Sequence, residues 1–221
     1  YQGHKPGPEA RAFIIDQYFG LRVTENKILN YLLDKGLPIS AGKISDILTT
    51  SNDLEIFHTE KDEINEASVA YSPYQQIDDS GARVNGENQY CSVLCNEFCS
   101  LFYIRPKKNR LTVIDVLLGK QELKFWLNDK AMEYLKEKRL PKKYFDPLKQ
   151  ELSEKLFSEK EMGEKISKLF PKIPGRYRDL ISEAAAISYY KSLPPEKKID
   201  ILVSDDAGQF QDIVEHHGLC W

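Results

Sequence analysis

The chain has 221 residues, a formal net charge of −3, and 41% hydrophobic and 11% aromatic residues. These values are ordinary for a globular protein with one good core and a smaller module. No apolar stretch approaches the roughly 20 residues that a membrane span needs, and residues 1–8 lack the apolar core of a signal peptide. We therefore expect an intracellular protein without a membrane partner. The four cysteines form no Cys-x-x-Cys pair, which favours reduced core thiols over a zinc site.

Charge is distributed unevenly along the chain. Residues 120–198 carry 19 Lys and Arg against 13 Asp and Glu, whereas residues 199–221 carry 5 acidic residues and no Lys or Arg. This asymmetry is typical of a protein that holds a polyanion on one surface and a divalent metal at another. A basic helical face that is simply solvated is the alternative.

Residues 1–50 read as three short helices. The pattern predicts helices over 8–19, from 25 to the Gly36 turn, and over 41–48, with Ser40 as the N-cap of the third. The last two helices and their short connection form a helix-turn-helix-like DNA-binding module, in which we expect Ser40 and Lys43 to contact DNA. A three-helix packing module explains the same pattern.

A helical linker is predicted over 51–73, and residues 74–119 then read as strands followed by a helix. Period-2 alternation predicts a strand over 75–84 and a hairpin with strands at 90–95 and 98–104. A basic turn follows, and an amphipathic helix over 111–118 ends at a glycine. We expect DNA contacts from the cations of that turn, which are Arg105, Lys107, Lys108 and Arg110.

Residues 120–198 are predicted to be a basic helical insertion whose helices break at prolines, among them Pro141 and Pro147. A well-buried helix is expected over 180–193. Residues 199–203 then read as a buried strand that breaks at Ser-Asp-Asp-Ala-Gly and resumes as a helix carrying Phe210, Ile213 and Val214. Strands that mix with helices in this order predict an α/β protein.

Two aspartates, Asp78 and Asp205, lie far apart in sequence but at corresponding places in predicted strands. Two-metal phosphoryl transfer needs carboxylates that converge on cations about 3.5–4 Å apart, one activating the attacking oxygen and the other stabilising the leaving oxygen. Either Asp-Asp-Ser-Gly or Asp-Asp-Ala-Gly alone is also a common polar turn after a strand. The combination favours a metal site.

These segments resemble the DDE-type transposases of bacterial insertion sequences, which share the ribonuclease-H-like fold with retroviral integrases. Residues 204–210 (Ser-Asp-Asp-Ala-Gly-Gln-Phe) are similar to the family pattern Ser/Thr-Asp-Asn-Gly-x-x-Phe, in which the first aspartate binds metal. Residues 77–80 are similar to the Ala-Asp-Glu-Thr strand of one transposase group, and residues 219–221 to its Leu-Cys-Trp strand. The resemblance implies a mixed ribonuclease-H-like sheet in two parts, 74–119 and 199–221.

The resemblance also implies an activity. Asp78 and Asp205 are the implied catalytic and metal-binding residues for two Mg²⁺ ions, with Mn²⁺ as an alternative. The implied reaction is cleavage of phosphodiesters at transposon terminal repeats, followed by strand transfer into target DNA by a homo-oligomer in the bacterial cytoplasm, associated with the nucleoid. The family's third acidic residue lies beyond the Leu-Cys-Trp strand, so we expect a fragment of a longer transposase that is inactive alone.

Two alternatives share this fold. One is a catalytically incomplete, transposase-derived protein that acts as a DNA-binding or regulatory protein. The other is a ribonuclease-H-like nuclease or resolvase that cuts without strand transfer. Binding to terminal repeats would distinguish a transposase from a structure-selective nuclease, which should bind junctions without sequence preference.

Overall fold

The structure is a computed structural model that describes residues 6–50 and 53–220. It divides into two compact units, Tyr1–Glu60 (unit 1) and Lys61–Trp221 (unit 2). The division falls inside helix α4 (Asp53–Tyr71). This one continuous helix forms most of the linker predicted over 51–73, of which residues 51 and 52 lie outside the described residues. Among the helices in the described ranges, none is both long enough and apolar enough to cross a lipid bilayer.

Unit 1 contains the three predicted helices, α1 (Pro8–Ile15), α2 (Glu25–Asp34) and α3 (Ala41–Thr49). A π-helical turn, Asp16–Gly20, extends α1. The Ser40 side chain caps α3 by accepting a hydrogen bond from the Lys43 backbone N–H at 3.1 Å, as the sequence predicts. The three helices share one small core, formed by Ile14, Ile28, Leu32, Ile44, Ile47 and Leu48.

Unit 2 is built on a mixed five-stranded sheet with the strand order β3-β2-β1-β6-β7. Strands β1 (Tyr74–Val84), β2 (Glu87–Cys95) and β3 (Ser100–Arg105) are antiparallel neighbours, whereas β6 (Ile201–Ser204) and β7 (His216–Leu219) run parallel to β1. Asn85 and Gly86 join β1 to β2 with positive φ angles of 50° and 84°. Two such residues are what a tight two-residue hairpin requires.

The two faces of this sheet differ. The covered face contributes Ile77, Leu94 and Leu202 to the main core, where they pack with α5 (Arg110–Leu118) and the other helices. The outer face carries Asp78, Val93, Phe102 and their neighbours, and its side chains lie outside that core. Phe102 is 60% exposed and Ile104 is 44% exposed.

The insertion is not purely helical, contrary to the prediction. It contains α6 (Asp129–Glu137), α7 (Lys142–Glu151), α8 (Glu159–Leu169) and the buried α9 (Gly175–Ser192), whose existence the sequence did predict. It also contains a second, two-stranded antiparallel sheet of β4 (Lys124–Trp126) and β5 (Leu156–Ser158). Three-residue strands carry too little alternation to be recognised in a sequence.

Three further expectations are wrong. Pro147 lies inside α7 rather than ending it, although proline supplies no N–H donor to the helix. The next residue, Leu148, is fully buried, and its packing stabilises this turn of the helix. No helix forms after β6: Phe210 and its apolar neighbours are buried from an irregular segment. The cysteines are free, but none is a fully buried core residue: Cys91 and Cys95 are half-buried on the outer face of β2, Cys99 packs at the margin of the core, and Cys220 is exposed.

Candidate active site

Sheet register relates Asp78 to Asp205. In the parallel pair of β1 and β6, Tyr74 pairs with Ile201 and Gln76 pairs with Val203. Two residues further along each chain are Asp78 and Asp205. Neighbouring strands lie about 4.8 Å apart. The paired residues end at Gln76 and Val203, and continuing the same register by two residues leads to Asp78 and Asp205 on the outer face, just past the carboxyl end of β6.

Both carboxylates are exposed, and within the described part of the chain neither takes part in an ion pair. The Asp78 Oδ1 atom accepts a hydrogen bond from the Asp79 backbone N–H at 2.8 Å. The Asp205 Oδ1 atom accepts one from the Ala207 backbone N–H at 3.0 Å. Each carboxylate therefore keeps its second oxygen available to a ligand, with no described side chain competing for it.

The neighbouring aspartates, Asp79 and Asp206, lie in different surroundings. Asp79 belongs to the covered face, where its Oδ1 atom accepts a hydrogen bond from the Ser92 hydroxyl and its Oδ2 atom is buried. The Asp206 carboxylate accepts a hydrogen bond from the Gln211 side chain at 3.0 Å. Asp79 is therefore a poorer candidate for a metal ligand than Asp78, because its side chain lies on the covered face of the sheet. Asp206 is a poorer candidate than Asp205, because the Gln211 side chain occupies its carboxylate.

Other residues to which the sequence assigns no part in the metal site lie on β1 and β6, which position Asp78 and Asp205, or next to these strands. The Gln76 amide lies 3.8 Å from the Cys220 sulfur, and the Cys220 backbone N–H donates to the Ser204 carbonyl at 2.7 Å, which continues the β6–β7 ladder past its last strand residue. On the covered face, the Ser204 hydroxyl and the His217 Nε2 atom are 2.8 Å apart. Only the register between distant strands could have identified these neighbours.

Residues 205–215, here called the Asp205 loop, connect β6 to β7. Three of its residues are buried in the core of unit 2, with Phe210 1%, Ile213 0% and Val214 7% exposed. Polar contacts hold it as well: the Arg110 side chain donates to the carbonyls of Gly208 and Gln211. The loop is therefore fixed by side chains at several points instead of by a backbone ladder.

Asp212 forms the second polar anchor of the loop. Its carboxylate lies 2.8 Å from the Lys138 Nζ atom and accepts a hydrogen bond from the Tyr134 hydroxyl at 3.1 Å. Partial burial raises the pKa of Asp212, but the Lys138 and Tyr134 hydrogen bonds outweigh burial and hold the pKa below its ordinary value. Burial in turn raises the pKa of Tyr134. Both groups are therefore kept in their hydrogen-bonded protonation states near neutral pH.

The residues expected to contact DNA fall in both units. In unit 1, Ser40 is exposed at the start of α3, and the Lys43 Nζ atom lies 4.0 Å from the Asp46 carboxylate. In unit 2, Lys107 and Lys108 are exposed in the turn after β3.

The two arginines of that turn are engaged by acidic partners. The Arg105 Nε atom lies 2.9 Å from Asp115. Arg110 is bound by Glu183 and has a side chain that is only 13% exposed. The structure therefore leaves the lysines, and not Arg110, free to face solvent.

The donor set fits a hard divalent cation in part. Carboxylate oxygens are the ligands that Mg²⁺ prefers, and Mg²⁺ sites commonly use one or two carboxylates with water or phosphate oxygens completing the shell. In the described ranges, however, no three His, Cys, Asp or Glu residues are grouped so as to hold a metal ion. Asp78 and Asp205 are the residues that would hold the metal, and they account for two of the three carboxylates that the resemblance implies.

No known protein family matches the chain, and no solved structure matches it. The chain is similar to the "Uncharacterized protein y4jO" of Sinorhizobium fredii (strain NBRC 101917 / NGR234), with 28% identity over an alignment of 170 residues. That alignment covers 70% of this chain and 47% of the relative, so the chain spans about half the length of the relative. What the fold and site define is an α/β protein with two exposed aspartates, one within β1 and one immediately after its parallel neighbour β6.

Proposed function

We propose that this chain belongs to the catalytic machinery of a DDE-type DNA transposase, in which Asp78 and Asp205 bind catalytic Mg²⁺ or Mn²⁺. The observation that carries the proposal is the register of β1 and β6, which pairs Tyr74 with Ile201 and Gln76 with Val203. Continued by two residues, this register leads to two aspartates that are 127 positions apart in sequence. Metal-dependent phosphoryl transfer needs such convergence of carboxylates.

The sheet supports the same class. Its order, with three antiparallel strands followed across the sheet by two parallel ones, is compatible with a ribonuclease-H-like fold. Open α/β sheets generally bind their ligands outside the carboxyl ends of parallel strands, and Asp205 lies immediately after the carboxyl end of β6. The proposed fold and the proposed site therefore agree.

In the proposed mechanism, the protein contributes position and charge. When bound, divalent metal supplies activation of the attacking oxygen and stabilisation of the leaving oxygen at a phosphodiester. Asp78 and Asp205 hold that charge at the outer face of the sheet, where both are open to a long substrate. No described cation pairs with either carboxylate, so neither has to lose an ion pair when metal binds.

A basic turn at the same end of the sheet supports DNA as the substrate. Arg105 at the end of β3 pairs with Tyr90, which pairs with Gly81, three residues beyond Asp78 along β1. Lys107 and Lys108 follow Arg105 and are exposed. Lysines at the carboxylate end can neutralise backbone phosphates while the phosphodiester to be cut lies at the metal.

Metal titration tests the proposal directly. Mn²⁺ binding to the whole chain is measured by electron paramagnetic resonance and by calorimetry, for the unmodified protein and for Asp78→Asn and Asp205→Asn. Loss of one carboxylate ligand is expected to weaken binding at least about tenfold, since loss of outer partners alone commonly costs 10–100-fold. The neighbours Asp79→Asn and Asp206→Asn are the matched controls and should bind like the unmodified protein. Equal binding by all five proteins would refute the metal site.

DNA binding distinguishes the two alternatives from a transposase. The probes are a duplex carrying the terminal repeats that flank the gene, a duplex of scrambled sequence and a four-way junction, each measured over a range of salt concentrations. A transposase or its DNA-binding relative should prefer the terminal repeat, with an affinity that falls as salt rises. Preference for the junction would favour the nuclease, and terminal-repeat binding without Asp205-dependent metal binding would favour the inactive relative.

A further inference from the structure

Arg110 occupies an unfavourable place for a cation. It is the first residue of α5, immediately after the N-cap Asn109, whose side chain accepts a hydrogen bond from the Thr112 backbone N–H. The amino end of a helix carries partial positive charge and favours acidic residues. A positive charge there, with a side chain only 13% exposed, is therefore stabilised by contacts outside its own helix.

Those contacts use all three nitrogens of the guanidinium. The Nη1 atom is bonded to the Glu183 carboxylate on α9. The Nε atom donates to the Gln211 carbonyl at 3.0 Å, and the Nη2 atom donates to the Gly208 carbonyl at 2.6 Å. The Glu183 side chain is 19% exposed, so the ion pair is largely shielded from water. Arg110 thus joins helices α5 and α9 to two carbonyls of the Asp205 loop.

The loop depends on these bonds because it has few of its own. Backbone carbonyls need hydrogen-bond donors, and in a strand or helix the ladder supplies them. Here Gly208 and Gln211, three and six residues after Asp205, receive theirs from a charged side chain, which makes stronger hydrogen bonds than a neutral donor does. Within the loop, the Phe210 N–H donates to the Ala207 carbonyl, and the Ala207 N–H donates to Asp205. A short series of bonds therefore runs from Arg110 to the Asp205 carboxylate.

We propose that Arg110 is a positioning residue for the metal site: it fixes the Asp205 loop so that Asp205 stays beside Asp78. This inference rests on the proposed function for the metal, but the fixation of the loop does not. In this proposal, Arg110 acts inside unit 2, whereas its position in a basic turn predicts a contact with DNA. Its cationic neighbour Arg105 forms a comparable ion pair with Asp115 and makes no hydrogen bond to the loop.

The test compares Arg110→Gln and Arg110→Lys with the matched control Arg105→Gln, in the whole chain. The first readout is amide hydrogen exchange of the peptides covering 205–215. Arg110→Gln should speed exchange there by about tenfold or more, because local opening of the loop becomes easier, while Arg105→Gln should leave these peptides unchanged. Lysine keeps a positive charge beside Glu183, but its single ammonium group lacks the planar fork with which arginine reaches three acceptors. Arg110→Lys should therefore have a higher thermal stability than Arg110→Gln, while exchange of the 205–215 peptides stays fast.

The second readout is Mn²⁺ affinity, which a purely structural role would leave unaltered in a folded variant. Arg110→Gln and Arg110→Lys should both bind Mn²⁺ about tenfold more weakly, whereas Arg105→Gln should bind like the unmodified protein. Unchanged exchange of 205–215 in both Arg110 variants would overturn the fixation itself. Faster exchange with unchanged, Asp205-dependent Mn²⁺ binding would overturn the positioning role alone. If the unmodified protein shows no Asp205-dependent Mn²⁺ binding, the proposed function fails together with the positioning role, even where exchange confirms the fixation.

Discussion

Asp78 and Asp205 each lie two residues beyond the paired Gln76 and Val203, but they are supported in different ways. Asp78 lies within β1, and the backbone ladder continues past it on the β2 side, where it pairs with Val93 and the strand runs on to Val84. Asp205 lies one residue after the end of β6, at the start of a loop without regular structure. The backbone at Asp78 is therefore held by the main-chain hydrogen bonds of a ladder, whereas the backbone after Asp205 is held by side chains.

This difference predicts which substitutions can disturb the site. A backbone ladder contains many bonds, and replacing one side chain removes none of them. The Asp205 loop is held by a few particular groups, the buried Phe210 and the polar anchors at Arg110 and Asp212. Single substitutions distant in sequence should therefore affect Asp205 strongly and Asp78 weakly.

The largest effect is expected for the apolar anchor. Phe210 is 1% exposed, and truncation to alanine should lower the free energy of unfolding of unit 2 by about 3–5 kcal/mol. The matched control is Phe102→Ala, because Phe102 is 60% exposed on the outer face and its loss should cost less than about 1 kcal/mol. Urea unfolding followed by circular dichroism measures both. Similar losses for the two variants would contradict the assignment of the outer face as lying outside the core.

A smaller loss of stability is expected when the ion pair of Arg110 with Glu183 is removed. A double variant can then distinguish this ion pair from the hydrogen bonds that Arg110 makes to the loop. Arg110→Met leaves Glu183 largely shielded and unpaired, which should cost about 2 kcal/mol, less than a fully buried pair because both side chains keep some exposure. Adding Glu183→Met should recover most of that stability, since an apolar pair of similar volume is often neutral. In the double variant, the carbonyls of Gly208 and Gln211 still lack the hydrogen bonds that the Arg110 guanidinium donates.

Hydrogen exchange completes this comparison. The double variant should unfold like the unmodified protein and still exchange rapidly across 205–215. Slow exchange in the double variant would mean that the apolar anchors alone hold the loop, and that the difference between the two aspartates is smaller than the structure suggests.

Regular elements were the part of this fold that sequence could predict. Ser40 capping α3, the alternation along β1 and the apolar surface of α9 are local signals, and the structure contains all three elements. The wrong helix after β6 had an equally local origin. Phe210, Ile213 and Val214 have helical spacing, but their burial comes from packing of a loop against the core, and the left-handed backbone at Asp212 (φ 68°) has no helical equivalent.

The candidate site was only partly predictable for the same reason. Asp78 and Asp205 could be chosen from strand ends, whereas their adjacency required the β1–β6 register, a contact between residues 127 positions apart. Arg110 sits in a basic run whose charge suggests a phosphate contact, and nothing in its neighbourhood reveals that Glu183 and two carbonyls bind it. Pairing over such distances depends on the folded sheet, which no local pattern contains.

The smallest effect concerns the second polar anchor and depends on pH. Because the pKa of Asp212 is held below its ordinary value, about 3.9, the carboxylate stabilises the folded state above that pH and loses this contribution as pH falls through the lower, folded pKa. Asparagine tolerates the left-handed backbone nearly as well as aspartate, so Asp212→Asn removes the charge with little strain. The partly exposed pair with Lys138 should contribute less than about 1 kcal/mol. Unfolding curves should therefore show a constant deficit for Asp212→Asn above about pH 5, and this deficit should shrink as pH falls below the ordinary carboxyl pKa. The same deficit in Lys138→Gln would assign it to the ion pair, whereas a deficit that persists in acid would assign it to the backbone of the loop.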